Sequence, residues 1–220
     1  KGMKEIIQEL KNFLKPKDIG TDSDRALLLD FQATLEIKPE KAIKLEKDAL
    51  AQIENITADN ARLVSNLHAN LGGLYRMNGH PDLAREHMEK SISLLDQFNL
   101  LHINDSIPQI ANYAMFLTEQ QEPERGISEL QKLSGIIKEY HSDDCLDYAK
   151  VQETLGTIYL MTANLPQAKT HFKRAFKIYE KIWTDEPEMI EAKYQEIQEL
   201  YPQVGFFLGQ QLSDFLTKQT

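Results

Sequence analysis

Cysteine is almost missing from this sequence of 220 residues, and basic residues are fewer than acidic ones. A single cysteine excludes an intramolecular disulfide framework and any zinc module that needs several cysteine ligands. The 25 basic and 34 acidic residues give a formal net charge of −9. Proteins that bind nucleic acids normally present a basic face, so this charge argues against a nucleic-acid partner.

Long apolar runs are missing as well. No uncharged stretch approaches the length of a membrane-spanning helix, and residues 1–16 carry charges throughout instead of the apolar segment of a signal peptide. We therefore expect a cytoplasmic protein with no membrane partner. Gly, Pro and aromatic residues are few, whereas Leu, Ala, Glu, Lys and Gln are common, a composition that favours helices.

Familiar catalytic and cofactor motifs are also missing. The sequence contains no glycine-rich phosphate loop, and its six histidines form no His-Glu-x-x-His pattern. Cys145 follows Asp143 and Asp144, two acidic neighbours that disfavour a nucleophilic role. We expect no catalytic residue, no cofactor, no metal and no enzymatic activity. An enzyme would instead require a metal, or a cluster of acids with shifted pKa values, in a groove.

A repeat of 42 residues runs through the chain. Pro39, Pro81 and Pro123 are spaced by this interval, whereas Pro166 comes one residue later than the interval predicts. Small residues keep the same step throughout, at Ala42, Ala84, Gly126 and Ala168. Such a fixed period is typical of proteins built from stacked structural units.

The segments around these residues recur with the same period. The segment Leu71–Met77 returns 84 residues later as Leu155–Met161, and Tyr113–Leu117 lies halfway between the two copies. The earliest copy is weaker, because Asp30 and Ala33 replace the glycine and tyrosine of the second and fourth copies.

Each unit is predicted to fold as two helices joined by a turn. On the first helix of the second unit, one face carries His68, Leu71, Gly72 and Tyr75. The second helix begins at the proline, a favoured first residue because its missing N–H would be unpaired there. Gly72 and Ala84 are small, so they let the two helix axes approach closely.

Capping residues and helix breakers predict a single domain over residues 1–220. We expect an N-terminal helix within residues 1–20 and capping helices in 184–220, with an apolar stripe from Val204 to Phe215 as a candidate self-association surface. The four repeats are predicted to occupy residues 22–56, 57–101, 104–141 and 142–183. Thr57 is the predicted cap of the second repeat.

The recurring motifs resemble the tetratricopeptide repeat (TPR) superfamily over roughly residues 22–182. The resemblance is carried by Leu71-Gly72-x-x-Tyr75-x-x-x-Gly79 with Ala84, and by Leu155-Gly156-x-x-Tyr159 with Ala168. The usual unit has about 34 residues, and the longer 42-residue unit is similar to that of kinesin light chains and related signalling proteins. The resemblance implies an all-α fold, a right-handed α-α superhelix of four helix-turn-helix repeats with extra terminal helices. It also implies that a peptide or partner protein binds in a concave groove without catalysis.

The groove can be placed on the face opposite the predicted packing face of each first helix. The candidate ligand-binding residues are Asn66, Asn70 and Met77 in the second repeat, Met115, Glu119 and Asn112 in the third, and Lys150, Thr154 and Met161 in the fourth. Asn70 and Asn112 are equivalent positions, and paired amides suit the backbone of an extended peptide. Two interpretations stay open, because these asparagines could also bond neighbouring helices.

The first repeat differs in having an apolar stripe at these positions. Leu28, Phe31 and Leu35 follow Asp24 there, so we expect the N-terminal helix or a partner to cover them. For the whole chain we predict an interaction scaffold or adaptor with a protein or peptide partner. The alternative is a peptide-sensing regulatory module of a larger signalling or transcription-regulatory protein.

Overall fold

The fold is described by a computed structural model for residues 20–200 and for positions 2, 5, 6, 8, 9, 12 and 202. Residues 20–200 contain nine helices and no strand: α1 (Asp22–Thr34), α2 (Pro39–Leu50), α3 (Ala61–Met77), α4 (Pro81–Gln97), α5 (Ser106–Glu119), α6 (Pro123–Tyr140), α7 (Leu146–Met161), α8 (Leu165–Ile182) and α9 (Pro187–Leu200). Most of the predicted N-terminal helix and the whole stripe from Val204 to Phe215 lie outside the described residues. No helix in the described part of the chain is long and apolar enough to cross a bilayer.

Consecutive helices pack as antiparallel hairpins, one for each predicted repeat. Helix α1 packs on α2, α3 on α4 and α7 on α8, and α5 contacts α6 through Ala114 and Gly126. The chain divides into two compact units, and the boundary falls between Tyr113 and Ala114 within α5. Helices α2 and α3 join successive hairpins in the first unit, and α6 and α7 do so in the second.

Helix starts follow the predicted signals at most places. Thr21 caps α1, and its side chain and that of Asp24 each accept a hydrogen bond from the other's backbone N–H. Prolines begin α2, α4 and α6. In α8 the Asn164 side chain accepts from the backbone N–H of Gln167, and Leu165 is the first helical residue. Pro166 is therefore the second residue of its helix, whereas the other repeat prolines are the first, and this explains why it comes one residue late in the 42-residue interval.

The predicted cap of the second repeat is wrong by three residues. Helix α3 begins at Ala61 with Asn60 as its N-cap residue. The backbone N–H of Thr57 donates to the Asn60 side chain at 2.8 Å, and the Thr57 carbonyl accepts from Ala61 at 2.9 Å. Thr57 therefore begins a turn that leads into the helix, and the Asn60 side chain satisfies the backbone N–H of Thr57.

The helices of a hairpin approach each other where the small residues recur. A Cβ atom on Gly72 would lie 2.6 Å from Met88 Cγ, and one on Gly126 would lie 2.6 Å from the Ala114 carbonyl oxygen. On Gly156 it would lie 2.8 Å from the Phe172 ring. These distances are shorter than ordinary carbon contacts, so larger side chains are excluded there.

Buried rings and amides fill the space beside these contacts. Tyr75 stacks on His87 with ring centroids 5.4 Å apart, and Tyr159 stacks on His171 at 5.3 Å. The Nδ1 atom of His87 lies 2.8 Å from that of His68, so one of the two rings donates to the other. His171 makes the equivalent contact with Gln152, the residue 84 positions after His68. The recurring histidines therefore pack within the hairpins.

The last described helix covers the end of the fourth hairpin. Ile190, Tyr194 and Ile197 of α9 are buried, and the Tyr194 ring lies 4.1 Å from that of Phe176. The Lys193 ammonium pairs with the Glu153 carboxylate at 2.9 Å. An apolar face and a half-buried ion pair thus attach α9 to the repeat before it.

Gly126 and Gly135 of α6 provide a matched test of the close helix approach. We expect Gly126→Ala to lower the free energy of unfolding by about 1–3 kcal/mol, because the new methyl group meets a backbone carbonyl. Gly135→Ala should raise it by about 0.5–1 kcal/mol, because its Cβ would meet nothing within 4 Å and alanine favours helix. Urea unfolding followed by circular dichroism measures both. Equal effects of the two substitutions would contradict the close contact.

Candidate functional site

Three adjoining clefts line the first helices of the first compact unit. Their volumes are about 230, 320 and 280 Å³, and all three are bordered by Ala69 and Asn112. Because they share these residues, the clefts form one continuous depression on α1, α3 and the start of α5. We call it the first-unit groove, and its principal lining residues are Asp30, Asn66, Ala69, Asn70, Gly73, Met77, Gln109 and Asn112.

Four of the nine predicted ligand-binding residues meet in this groove. They are Asn66, Asn70, Met77 and Asn112. Met77 is 76% exposed, which is unusual for a large apolar side chain. Asn112 is also exposed, and its side chain makes no hydrogen bond with any described residue. These two side chains are therefore available to a ligand.

Asn70 has a different environment from its repeat equivalent. Its amide nitrogen donates to Asp30 Oδ1 at 2.8 Å and to Glu46 Oε1 at 3.3 Å. The residues that would serve Asn112 in the same way, 42 positions later, are Gly72 and Met88, and neither has a polar side chain. Asn70 thus links α1, α2 and α3 by hydrogen bonds. The Asn112 amide forms no such bond with any described residue.

Asn66 also bonds to neighbouring helices. Its amide oxygen accepts from Gln109 Nε2 at 2.5 Å, and its amide nitrogen lies 3.4 Å from Asp105 Oδ2. Gln109 accepts in turn from the hydroxyls of Ser65 and Ser91, at 2.8 and 2.5 Å. Ser65, Ser91 and Gln109 are buried and Asn66 is half-buried, so this network links α3, α4 and the start of α5.

Glu46 is a carboxyl group buried beside the groove. It is 1% exposed, and its Oε2 atom accepts no hydrogen bond in the structure. Removal from water, followed by the negative charge of Asp30, raises the pKa of Glu46 to about 9. Glu46 is therefore protonated at neutral pH. Within the described part of the chain, no three His, Cys, Asp or Glu side chains are grouped so that they could hold a metal ion.

The other five predicted residues belong to the second compact unit. Glu119, Lys150 and Met161 are exposed, and Met115 and Thr154 are half-buried. The Lys150 ammonium lies 3.7 Å from Asp147 Oδ1, and the Thr154 hydroxyl donates to the Lys150 carbonyl. In the second compact unit, the predicted ligand-binding residues are therefore exposed or half-exposed to solvent.

Thr157 lies between Thr154 and Met161 on α7, but it does not share their access to solvent. Thr157 is 7% exposed, and its hydroxyl donates to the Glu153 carbonyl at 3.1 Å. The buried residues of α7 extend over a wider arc than predicted, from Tyr148 through Gly156 to Ile158. The surface of α7 that a ligand could reach is correspondingly narrower.

Cys145 has a structural position at the start of α7. It is the N-cap residue, and its Sγ atom accepts from the backbone N–H of Tyr148 at 3.4 Å. Thiols accept hydrogen bonds weakly, so this is a modest cap.

Two polar residues that border the groove were not among the predicted ligand-binding residues. Gln109 lies where the adjacent repeats have Leu67 and Val151, so a polar residue at a core position of the repeat is the signal that could have revealed it. Glu46 lies between Ala42 and Ala49 on the buried face of α2, which is a comparable signal.

The first repeat exposes part of its apolar stripe. Phe31 is 50% and Leu35 is 41% exposed, whereas Leu28 is buried at 7%. Its core is formed by Ala26, Ala49 and Leu67, from three successive helices.

Comparisons with known proteins agree with this architecture. A family model described as tetratricopeptide repeat matches residues 106–181, about a third of the chain. No curated protein matches the sequence. The crystal structure of BtubC (BKLC) from P. vanneervenii is 18% identical and has a TM-score of 0.71, with 98% of this chain and 84% of that one covered.

Two further solved structures share the fold. A putative kinesin light chain from Podosopora anserina with nearly identical TPR-like repeats is 13% identical, with 82% of this chain and 88% of that one covered and a TM-score of 0.67. MamA is 16% identical, with 81% and 89% covered and a TM-score of 0.56. The chain is thus a helical-hairpin repeat protein with the predicted all-α solenoid fold. Residues 106–181 match the tetratricopeptide repeat family model, and the solved structures share the fold of this chain.

The buried Glu46 makes the stability of the fold depend on pH. Its folded pKa is raised above the ordinary value of 4.5, so the stability that it contributes is lost as the pH rises towards 9. Between pH 6.5 and 9 we expect Glu46→Gln to remove a fall of about 1.4 kcal/mol per pH unit in the free energy of unfolding. Asp48→Asn, at an exposed position of the same helix, is the control and should keep that fall.

Denaturant unfolding at several pH values measures this slope. Burial lowers the pKa of His68 from 6.5 to about 4, so the titration of this histidine changes the free energy of unfolding only below pH 6.5. The series therefore starts at pH 6.5. If the Glu46→Gln and wild-type slopes were the same, the buried carboxyl would be ionised, contrary to this description.

Proposed function

We propose that the chain is an interaction scaffold, and that the first-unit groove binds an extended peptide segment of a partner protein. The tetratricopeptide repeat fold is a protein-interaction scaffold in general. The observation that carries the proposal is the continuity of the three clefts around Ala69 and Asn112. A continuous depression along successive first helices suits an extended chain better than a compact small molecule.

Asn112 is the residue on which peptide recognition would centre. Its free amide offers both a donor and an acceptor, which is the pair that a peptide bond needs. The Asn66 and Asn70 amides are each bound to neighbouring helices, so they would form a rigid wall of the groove and lose little side-chain entropy on binding. Met77 would supply an adaptable apolar contact for the ligand's side chains.

This proposal includes no catalytic step. Glu46 is the carboxyl group with the raised pKa, and it has Asp30 as its charged neighbour. Its side chain is 1% exposed, although it borders one of the three clefts. We assign it a structural role in joining the first two hairpins. The peptide-sensing module and a cytoplasmic location remain predictions of the sequence.

A peptide library tests the groove directly. A display library of short random peptides is selected on the whole wild-type chain, and the enriched peptides are titrated by fluorescence anisotropy. We expect Asn112→Ala to weaken their binding about five- to tenfold, since one or two amide hydrogen bonds are lost. Asn104→Ala is the matched control, because Asn104 is exposed but does not line the groove.

This titration separates the two interpretations of the asparagines, which are contact with a peptide ligand and bonding to neighbouring helices. If the Asn112→Ala chain binds every enriched peptide as tightly as the wild type, the groove is not the binding site. Asn70→Ala is unsuitable as the main variant, because it would leave two carboxyl groups without their donor and would change stability as well as binding.

A further inference from the structure

Helix α8 is strongly basic in an otherwise acidic chain. Five of its residues are Lys or Arg and one is acidic, Glu180, whereas the whole chain has a net charge of −9. The cationic residues are Lys169, Lys173, Arg174, Lys177 and Lys181, and all five are exposed. Four of them are spaced by four residues, so they form a stripe along one face of the helix.

The C-terminal half of this stripe borders a cleft of about 610 Å³ in the second compact unit. The cleft lies between the end of α6, the turn before α7, the start of α7 and α8. Its lining consists of Lys138, Asp143, Asp144, Tyr148, Arg174, Lys177, Ile178 and Lys181. We call it the basic cleft. Most of its lining belongs to the second helices α6 and α8, and none of the nine predicted ligand-binding residues borders it.

The charges of the basic cleft are only partly balanced. The Lys138 ammonium lies 3.7 Å from Asp143 Oδ2, and Lys181 forms an ion pair with Asp144. Arg174 and Lys177 form no ion pair or hydrogen bond with any described residue. Two positive charges are therefore available for a ligand.

An apolar base lies beneath these charges. Tyr148 and Ile178 are 3% and 4% exposed, and the Lys138 ammonium lies 5.1 Å from the centroid of the Tyr148 ring. A ligand that has carboxylates and a few apolar side chains would match both the cations and this base. Arg174 can bind a carboxylate through two parallel hydrogen bonds, and Lys177 acts as a point charge.

We infer that the basic cleft docks a segment of a partner protein that is rich in Asp and Glu. The acids Asp143 and Asp144 at its rim would repel the continuous negative charge of a nucleic-acid backbone or a lipid surface. A short acidic segment can avoid them and place its carboxylates on Arg174 and Lys177. The cleft also lacks an exposed aromatic ring on which a base could stack.

Binding is tested with a defined probe and the whole chain. The probe is a fluorescein-labelled peptide of glutamates interspersed with leucines, and its partner peptide has glutamine in place of every glutamate. We expect the acidic peptide to bind, the glutamine peptide to bind at least about tenfold more weakly, and binding of the acidic peptide to weaken as salt is added.

Two double variants with the same change of charge locate the site. Arg174→Ala/Lys177→Ala should weaken binding of the acidic peptide about tenfold, because it removes both unpaired cations. Lys169→Ala/Lys173→Ala removes the same charge from the same helix outside the cleft, and should change affinity by less than about twofold. All four positions are exposed, and circular dichroism melting checks that both variants remain folded.

Three results would overturn the inference. The first is no binding of the acidic peptide, or equal binding of the glutamine peptide. The second is an equal loss in the two double variants, which would indicate diffuse attraction to the basic stripe. The third is tighter binding of a short DNA duplex or of phosphatidylserine vesicles that depends on Arg174 and Lys177, since the cleft would then serve another class of partner.

Discussion

The structure depends on how closely the two helices of each hairpin approach. At Gly126 a methyl group would meet the Ala114 carbonyl oxygen, and at Gly156 it would meet the Phe172 ring. Contacts of this kind leave no room for a side chain, so they set which face of each first helix is buried. The opposite face must then lie towards solvent, and it is this face that forms the first-unit groove.

Much of this architecture is visible in the sequence because small residues and prolines recur at one interval. Their positions predict the helix pairs and the buried face that includes Leu71 and Gly72, and the structure agrees with both. The misplaced cap at Thr57 shows where such prediction ends. The turn before α3 depends on a local hydrogen bond from the Thr57 backbone N–H to the Asn60 side chain, which no periodic pattern contains.

The sequence predicts that Asn70 and Asn112 are equivalent, but it does not predict their hydrogen bonds. Asn70 and Asn112 are equivalent in the repeat, yet Asn70 bonds two carboxyl groups and Asn112 bonds none of the described residues. The difference arises because the first repeat has Asp30 where the second has a glycine. An irregularity in one repeat thus decides the role of a residue in the next repeat.

The central claim is that a peptide binds along the first helices of the first compact unit. The most direct measurement is the change in backbone amide NMR signals when an isotopically labelled chain is titrated with a peptide that it selects. The account predicts that the shifted signals cluster around Ala69, Gly73 and Asn112. Shifts confined to the second helices α2 and α4, with none around Asn112, would contradict it.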